Sequence, residues 1–338
     1  DDYVPNMNIT EVYSGNYDSQ MSTNINNGVT YFNYRGYYGM SNFNNTDINN
    51  LNNGLMLPFA VFLTCDTGTF TNGTCRSEAF IRAGTASNQK GAIAAIGTAT
   101  TGTHTTFNNC VDAGIFYGVF VDQLYTPGAA LVRGKLHLYE TFPQNPSNKV
   151  DIFSYWNNVM GDPSVELWTS EPKSLTVNYD NNIAVGTNYL EVTVLNTAGI
   201  PQENAWVCAL KGDDEIFANA FTDNEGKVLL EIDANSAGSL TLTVTKHDFI
   251  PHLGSATIVS DLNAISVYTT GINDDNSGSS SGNNDGHVNP GESIELRVSL
   301  KNYGSQTANS VTATISTECD FISITDASET FGTIAAGS

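Results

Sequence analysis

Positive charge is scarce: 13 lysines and arginines stand against 35 aspartates and glutamates, a net charge of −22 over 338 residues. Such a surface repels phosphate backbones and anionic lipid headgroups, so nucleic acid is excluded as a natural partner. Long apolar runs are also missing. A bilayer-spanning helix needs about 20 apolar residues, and stretches such as 55–64 and 91–97 are far shorter, so no membrane span is expected. The sequence opens at Asp1 without the basic and apolar regions of a secretory signal, which is expected to have been removed or to lie outside these residues. Cys-x-x-Cys spacing is absent among Cys65, Cys75, Cys110, Cys208 and Cys319, which argues against a zinc knuckle or a thioredoxin-like motif. Five is an odd number of cysteines, so at least one thiol is free.

Charged residues make up only 14% of the chain, so its polarity rests on Asn, Thr, Ser and Gly. That composition is common in bacterial surface proteins built from strands and long loops, and a secreted or cell-surface location is expected. The length allows several domains, each with its own core.

In the first half, apolar runs at 29–34, 56–64 and 92–96 read as strands, and stretches at 76–83, 110–124 and 129–139 read as helices. In the second helix Val111, Ile115, Val119 and Phe120 recur at helical spacing. Strand and helix in alternation imply a mainly parallel sheet covered on both faces, with working residues on loops leaving the carboxyl ends of strands. The turns after Tyr34, Thr64 and Ile96 are the places to search. Around 163–172 the helices stop, and short strands follow at 175–177, 190–194, 205–210, 227–232 and 240–244, the pattern of an Ig-like β-sandwich. A second boundary is expected at 261–265, after which strands at 265–269 and 294–300 flank a Gly/Ser/Asn/Asp-rich loop. The expected plan is therefore an α/β region over 1–170, an all-β Ig-like sandwich over 171–262 and a second over 263–338. The first is expected to be incomplete because only one or two strands can precede Val29, and the last because it has few strands. Remaining segments of a longer polypeptide are expected partners.

Three stretches carry a family resemblance. Asn33-Tyr34-Arg35-Gly36-Tyr37-Tyr38 is similar to Asn-Tyr-x-Gly-His-Gly, Cys65-Asp66-Thr67-Gly68-Thr69-Phe70 to Cys-x-x-Gly-x-Phe, and Gly161-Asp162-Pro163-Ser164 to a closing Gly-Asp-Pro-Ser. These patterns, in this order, resemble the gingipain-type cysteine peptidases, whose caspase-like α/β domain precedes an Ig-like module. The resemblance implies protein or peptide substrates and a cysteine nucleophile at Cys65, activated by a histidine on the neighbouring strand end, with no cofactor for catalysis. A thiol with a pKa of about 8.5 needs such a base, or another way to lower its pKa. Apart from the resemblance, Cys65 also reads as a buried free cysteine or as half of a Cys65–Cys75 disulfide.

Tyr37 stands where the resemblance demands the histidine, and no histidine precedes Cys65. A phenol with a pKa of about 10 is a poor proton acceptor at neutral pH. Tyr38 replaces the glycine whose backbone N–H would help hold the oxyanion, and two tyrosines are expected to crowd the cleft. His104, on the loop leaving the third strand, is either a relocated base or a loop residue bonded to neighbouring threonines. Asp66 and Asp112 read as orienters of an imidazole or as caps of backbone donors. Two functions follow. One is an active cysteine endopeptidase using Cys65 and His104; the other is a pseudoenzyme kept as an extracellular module because its base is lost. Further on, Asp274, Asp275, Asn283, Asp285, Asn289 and Glu292 place many oxygen donors on one Gly-rich loop, which reads as a calcium site or as an ordinary long turn.

Overall fold

Four consecutive apolar residues, Phe59-Ala60-Val61-Phe62, form a strand with every side chain buried. Such a run requires cover on both faces of its sheet, and the first unit of the protein is built around it. The computed structural model describes residues 7–71, 73–260, 265–317 and 319–338. These fall into two units, Asp1–Pro172 and Lys173–Ser338.

In the first unit the order is α1 (Tyr17–Asn26), β1 (Tyr31–Asn33), α2 (Asn45–Asn49), β2 (Phe59–Phe62), α3 (Arg76–Arg82), the small hairpin β3 (Gly84–Thr85) and β4 (Asn88–Gln89), β5 (Ala94–Thr98), α4 (Thr105–Phe120), α5 (Pro127–Thr141), α6 (Lys149–Trp156) and β6 (Asn157–Gly161). The main sheet has the order β1-β2-β5-β6. The first three strands are parallel, and β6 runs antiparallel to β5. Side chains on a strand alternate between faces. Phe59, Val61, Ala94 and Ile96 accordingly pack against Val111, Ile115 and Val119 of α4, Leu131 and Leu138 of α5 and Phe153 of α6. Ala60, Phe62 and Ala95 pack on the opposite side with Met21, Ile25, Ile48 and Phe80 of α1 to α3. The unit is a three-layer α/β/α stack. Before residue 29, where the sequence leaves room for one or two strands at most, the described chain holds the helix α1. Its apolar signal is only Met21 and Ile25, four residues apart on one face.

The second unit opens with β7 (Lys173–Asn178), β8 (Asn182–Ala184), β9 (Tyr189–Asn196), β10 (Trp206–Lys211), β11 (Ile216–Phe221), β12 (Lys227–Glu231), β13 (Gly238–Thr245), β14 (Phe249–Ile250) and β15 (His252–Val259). They make two sheets, β11-β10-β13-β15-β8 and β12-β9-β7-β14. Alternating residues such as Leu190, Val192 and Val194 on β9, Val207 and Ala209 on β10, and Leu240, Leu242 and Val244 on β13 fill the core between them.

The boundary expected at 261–265 falls on 261–264, outside the described residues. Beyond it, β16 (Ile265–Asn273) pairs with β17 (Glu295–Asn302), and β18 (Ala308–Thr314) pairs with β19 (Ser328–Ile334). An incomplete second sandwich with few strands was expected here; the described residues form two two-stranded ribbons. The reason is a lack of interior: from 265 onward Ala308 is the one buried apolar side chain among the described residues, and a two-stranded ribbon has little stability by itself. No described helix is long and apolar enough to cross a membrane.

Candidate active site

Because β1 and β2 are parallel neighbours, with Asn33 opposite Val61, both chains leave the sheet at the same rim. The Tyr34 N–H donates to the Val61 carbonyl at 2.8 Å, extending the register by one residue. Tyr37 and Tyr38 follow β1, and Cys65 follows β2. Leu63, the residue after β2, is held from two sides. Its carbonyl accepts from Asn108 Nδ2 of α4 at 2.9 Å and from the half-buried guanidinium of Arg35, which also donates to Asn109 Oδ1. Arg35 occupies the variable position of the first motif and ties the two strand ends to α4.

The second motif is explained by its turn. Thr67 Oγ1 lies 2.8 Å from the Phe62 carbonyl and 2.9 Å from that of Thr64, and accepts from Thr98 N–H at 3.0 Å. Asp66 is left-handed at φ 63° and donates its N–H to Thr100 O at 2.7 Å. Gly68 lies against β5 so closely that a Cβ there would sit 2.8 Å from the Gly97 carbonyl carbon. Glycine is therefore required three residues after the cysteine by a backbone-on-backbone contact.

Cys65 is half-buried, and all five cysteines are unpaired, so the Cys65–Cys75 disulfide does not form. Cys75 is buried at the start of α3, and burial pushes its thiol up. Among the described residues the hydrogen-bond partner of the Cys65 sulfur is a neutral hydroxyl, Thr103 Oγ1, at 2.8 Å. The neighbouring residue, His104, is engaged elsewhere. It is the N-cap of α4, its Nδ1 accepting the Thr106 N–H at 3.2 Å, and its ring lies 5.5 Å from that of Phe107. An imidazole that accepts through Nδ1 carries its proton on Nε2 and has no second lone pair for a thiol.

Tyr37 is 82% exposed and Tyr38 55% exposed, so the two rings do not fill the cleft as expected. Tyr38 lines, with Gly39, Cys65, Asp66, Thr67 and Arg76, a small depression of about 60 Å³. Immediately after Tyr38 the chain runs left-handed through Gly39, Met40, Ser41 and Asn42, at φ 74°, 52°, 51° and 74°. Three non-glycine residues hold that conformation, anchored by the fully buried Met40. Thr103 and Arg76 are the site residues that motif reading misses. Neither belongs to a motif, and only the folding of two loops onto the rim brings them to Cys65.

The sequence profile of Peptidase family C25 matches residues 1–168. The chain belongs to this family. Gingipain R2 from two strains of Porphyromonas gingivalis is similar at 24% and 23% identity over 237 residues, 65% of this chain. The chain spans about 30% of the length of these curated relatives. The crystal structure of the Arg-specific cysteine proteinase gingipain R superposes with a TM-score of 0.61 at 21% identity, over 73% of this chain and 57% of that one. A complex of the pro- and mature domains of a Porphyromonas gingivalis gingipain gives 0.59 at 22% identity, over 73% and 58%. The caspase-like α/β fold expected from the motifs is that of these neighbours.

Beneath the rim of the C25 unit lies Asp112 of α4. Its Oδ2 accepts from Asn33 Nδ2 at 3.1 Å, and its buried Oδ1 has no hydrogen-bond partner. Burial raises its pKa to about 6, against smaller opposing effects of Asn33 and Arg35. An acid whose folded pKa lies above its unfolded value suits the fold only while protonated. That benefit is present below about pH 4 and is lost as pH rises through 6. Ionised Asp112 then costs up to about 3 kcal/mol at neutral pH, at about 1.4 kcal/mol per unit. Asp112→Asn should raise the thermal midpoint of this unit at pH 7.5, with a gain that shrinks as pH falls from 6 towards 4. A gain independent of pH would show that ionisation is not the cause.

The acidic loop between β16 and β17 holds itself together. Asp274 accepts the backbone N–H of Asp285 at 3.1 Å and of Gly286 at 3.3 Å. Glu292 accepts those of Asn283 at 3.1 Å and Asn289 at 3.2 Å. Asp285 accepts the His287 N–H at 2.8 Å and the Asn289 amide, and Asp275 accepts from Ser277 and Ser280. No group of three or more acidic, histidine or cysteine side chains converges as a metal site among the described residues. In this arrangement the carboxylates are spent on the loop's own backbone donors; calcium, which takes six to eight oxygen ligands, is a proposal for this loop that adding the ion tests. If the loop binds calcium, millimolar Ca²⁺ should raise the thermal midpoint over its value in a chelator, since a ligand at 100 times its Kd adds about 2.7 kcal/mol; an unchanged midpoint disposes of the site.

Proposed function

We propose that this chain is a secreted or cell-surface C25 homologue whose site is disabled for peptide hydrolysis because Tyr37 stands in the place of the base. It engages protein or peptide segments as an extracellular module and does not cut them. One observation carries the reading: parallel strand ends bring Tyr37 and Cys65 to one rim, yet the sulfur is partnered by the hydroxyl of Thr103. Loss of a general base removes on the order of 10²–10⁴-fold in rate. The family supports protein or peptide partners, and the acidic, lysine-poor surface supports life outside the nucleic-acid-rich cell interior.

A second reading, an active cysteine endopeptidase with His104 as the base, is favoured by the position of Thr103. Its contact with Cys65 brings the His104 loop to the sulfur, and release of the α4 cap would free Nδ1. Assaying amide hydrolysis by the parent chain, by Tyr37→His and by His104→Ala separates the two. Under the first reading only Tyr37→His has activity above the uncatalysed background; under the second, the parent is active and His104→Ala loses it.

A further inference from the structure

Among the few basic residues of this acidic chain, Arg76 is the one that lines the Cys65 depression. It leads α3 immediately after Cys75. Its Nε is shielded from solvent and has no hydrogen-bond partner, and no acidic side chain forms an ion pair with it among the described residues. Asp66 lines the same space but makes no such pair. Nearly every other arginine is engaged: Arg82 pairs with Glu78, Arg133 with Asp122 and Glu140, and Arg35 with Leu63 and Asn109. A buried guanidinium donor without an acceptor is costly, and the group best shaped to satisfy it is a carboxylate, which meets Nε–H and an Nη–H together in a planar fork.

We propose that Arg76 makes the Cys65 cleft a carboxylate-binding site, selecting peptide segments that present an acidic side chain or a free carboxyl end at the thiol. This rests on reading the cleft as the peptide-facing rim, and it holds whether or not Tyr37 disables hydrolysis. It predicts a cleft that discriminates for negative charge at one point although the chain as a whole carries −22. An amide oxygen placed at that point accepts from the guanidinium but brings neither the charge nor the second oxygen of the fork, and a lysine side chain has no acceptor at all.

Cys65 is itself the reporter. Iodoacetate and iodoacetamide alkylate a thiolate by the same displacement, the sulfur bonding to the CH₂ carbon while iodide leaves, and differ mainly in the carboxylate. The ratio of their rates at one cysteine cancels any effect of Arg76 on ionisation of the thiol and reports attraction of the reagent's charge. Measured by peptide mass spectrometry on the full chain, the iodoacetate-to-iodoacetamide ratio at Cys65 should exceed that at the exposed Cys319. Arg76→Ala should lower it by about fivefold or more, as expected for loss of a unit charge within a few ångströms in a partly shielded site. Arg76→Gln, which keeps length and polarity, should do the same while retaining the parent's melting profile. Equal ratios at Cys65 and Cys319, or a Cys65 ratio unmoved by both substitutions, would overturn the proposal. Peptide arms then name the source: binding lost on amidating the carboxyl end assigns the free terminus, and binding lost on an Asp-to-Asn exchange within the peptide assigns the side chain. A chain that cleaves peptides yet keeps the high ratio removes the disabled-site reading alone. A chain with neither hydrolysis nor a high ratio removes this one alone.

Discussion

Replacing Tyr37 with histidine should raise the alkylation rate of Cys65 at pH 6 by at least about tenfold over the parent chain, and should bring amide hydrolysis above background if the oxyanion donors of the rim are intact. The strand register is the basis for this gain. Residue 37 lies on the same rim as Cys65, and its ring is 82% exposed, so an imidazole can be accommodated without repacking the core. Its carbonyl is fixed by the hydroxyl of Tyr34 at 3.1 Å, which orients the backbone from which the new ring would project. Tyr37→Phe supplies the control. It removes the phenol without adding a base, and alkylation at pH 6 should match the parent. If Tyr37→Phe slows Cys65 as much as Tyr37→His speeds it, the phenol is itself assisting the thiol and the disabled reading falls. If histidine at 37 changes neither rate, the rim does not bring the ring to the sulfur.

The parts of this site that could be read from the sequence are those set by strand ends and short turns. The apolar run 56–64 ends at a cysteine followed by glycine, and β2 ends at Phe62 with the Cys65 turn close behind. Boundaries shift by a few residues where helices begin in polar sequence. The helix expected at 110–124 starts at Thr105, because His104 caps it and the first turn, Thr105-Thr106-Phe107-Asn108, carries little apolar periodicity. Helix α6 and strand β6 gave no clear pattern at all. Residues 157–161 are Asn-Asn-Val-Met-Gly, and only their place beside β5, with Val159 opposite Ile96, makes them a strand. The occupation of His104 was likewise invisible, since a histidine in a threonine-rich loop reads equally as a base or as a cap. Arg76 needed the fold outright, because ten residues of intervening loop separate it from Cys65 in the chain.

Gly97→Ala should destabilise the first unit by about 1–3 kcal/mol or more, a fall in thermal midpoint of about 2–4 °C per kcal/mol for a unit of this size. Gly97 is buried within β5, and a Cβ there would lie 2.2 Å from Ser77 Oγ and 2.9 Å from Gly68 N and the Thr67 carbonyl carbon. Ser77 cannot simply turn away, since its hydroxyl donates to the Thr67 carbonyl at 2.7 Å in a buried site and would leave that acceptor with only the Ser77 N–H at 2.9 Å. The double variant Ser77→Ala/Gly97→Ala separates the two contacts. Removing the hydroxyl should recover part of the loss, and the remainder belongs to the backbone clash with Gly68, which no side-chain change relieves. The same clash pushes on the turn that carries Cys65, so alkylation of Cys65 should change together with the melting temperature. A stable Gly97→Ala chain with unaltered Cys65 labelling would mean that the approach of β5 to the Cys-x-x-Gly turn is looser than these distances, and that the glycine of the motif is held by something other than packing.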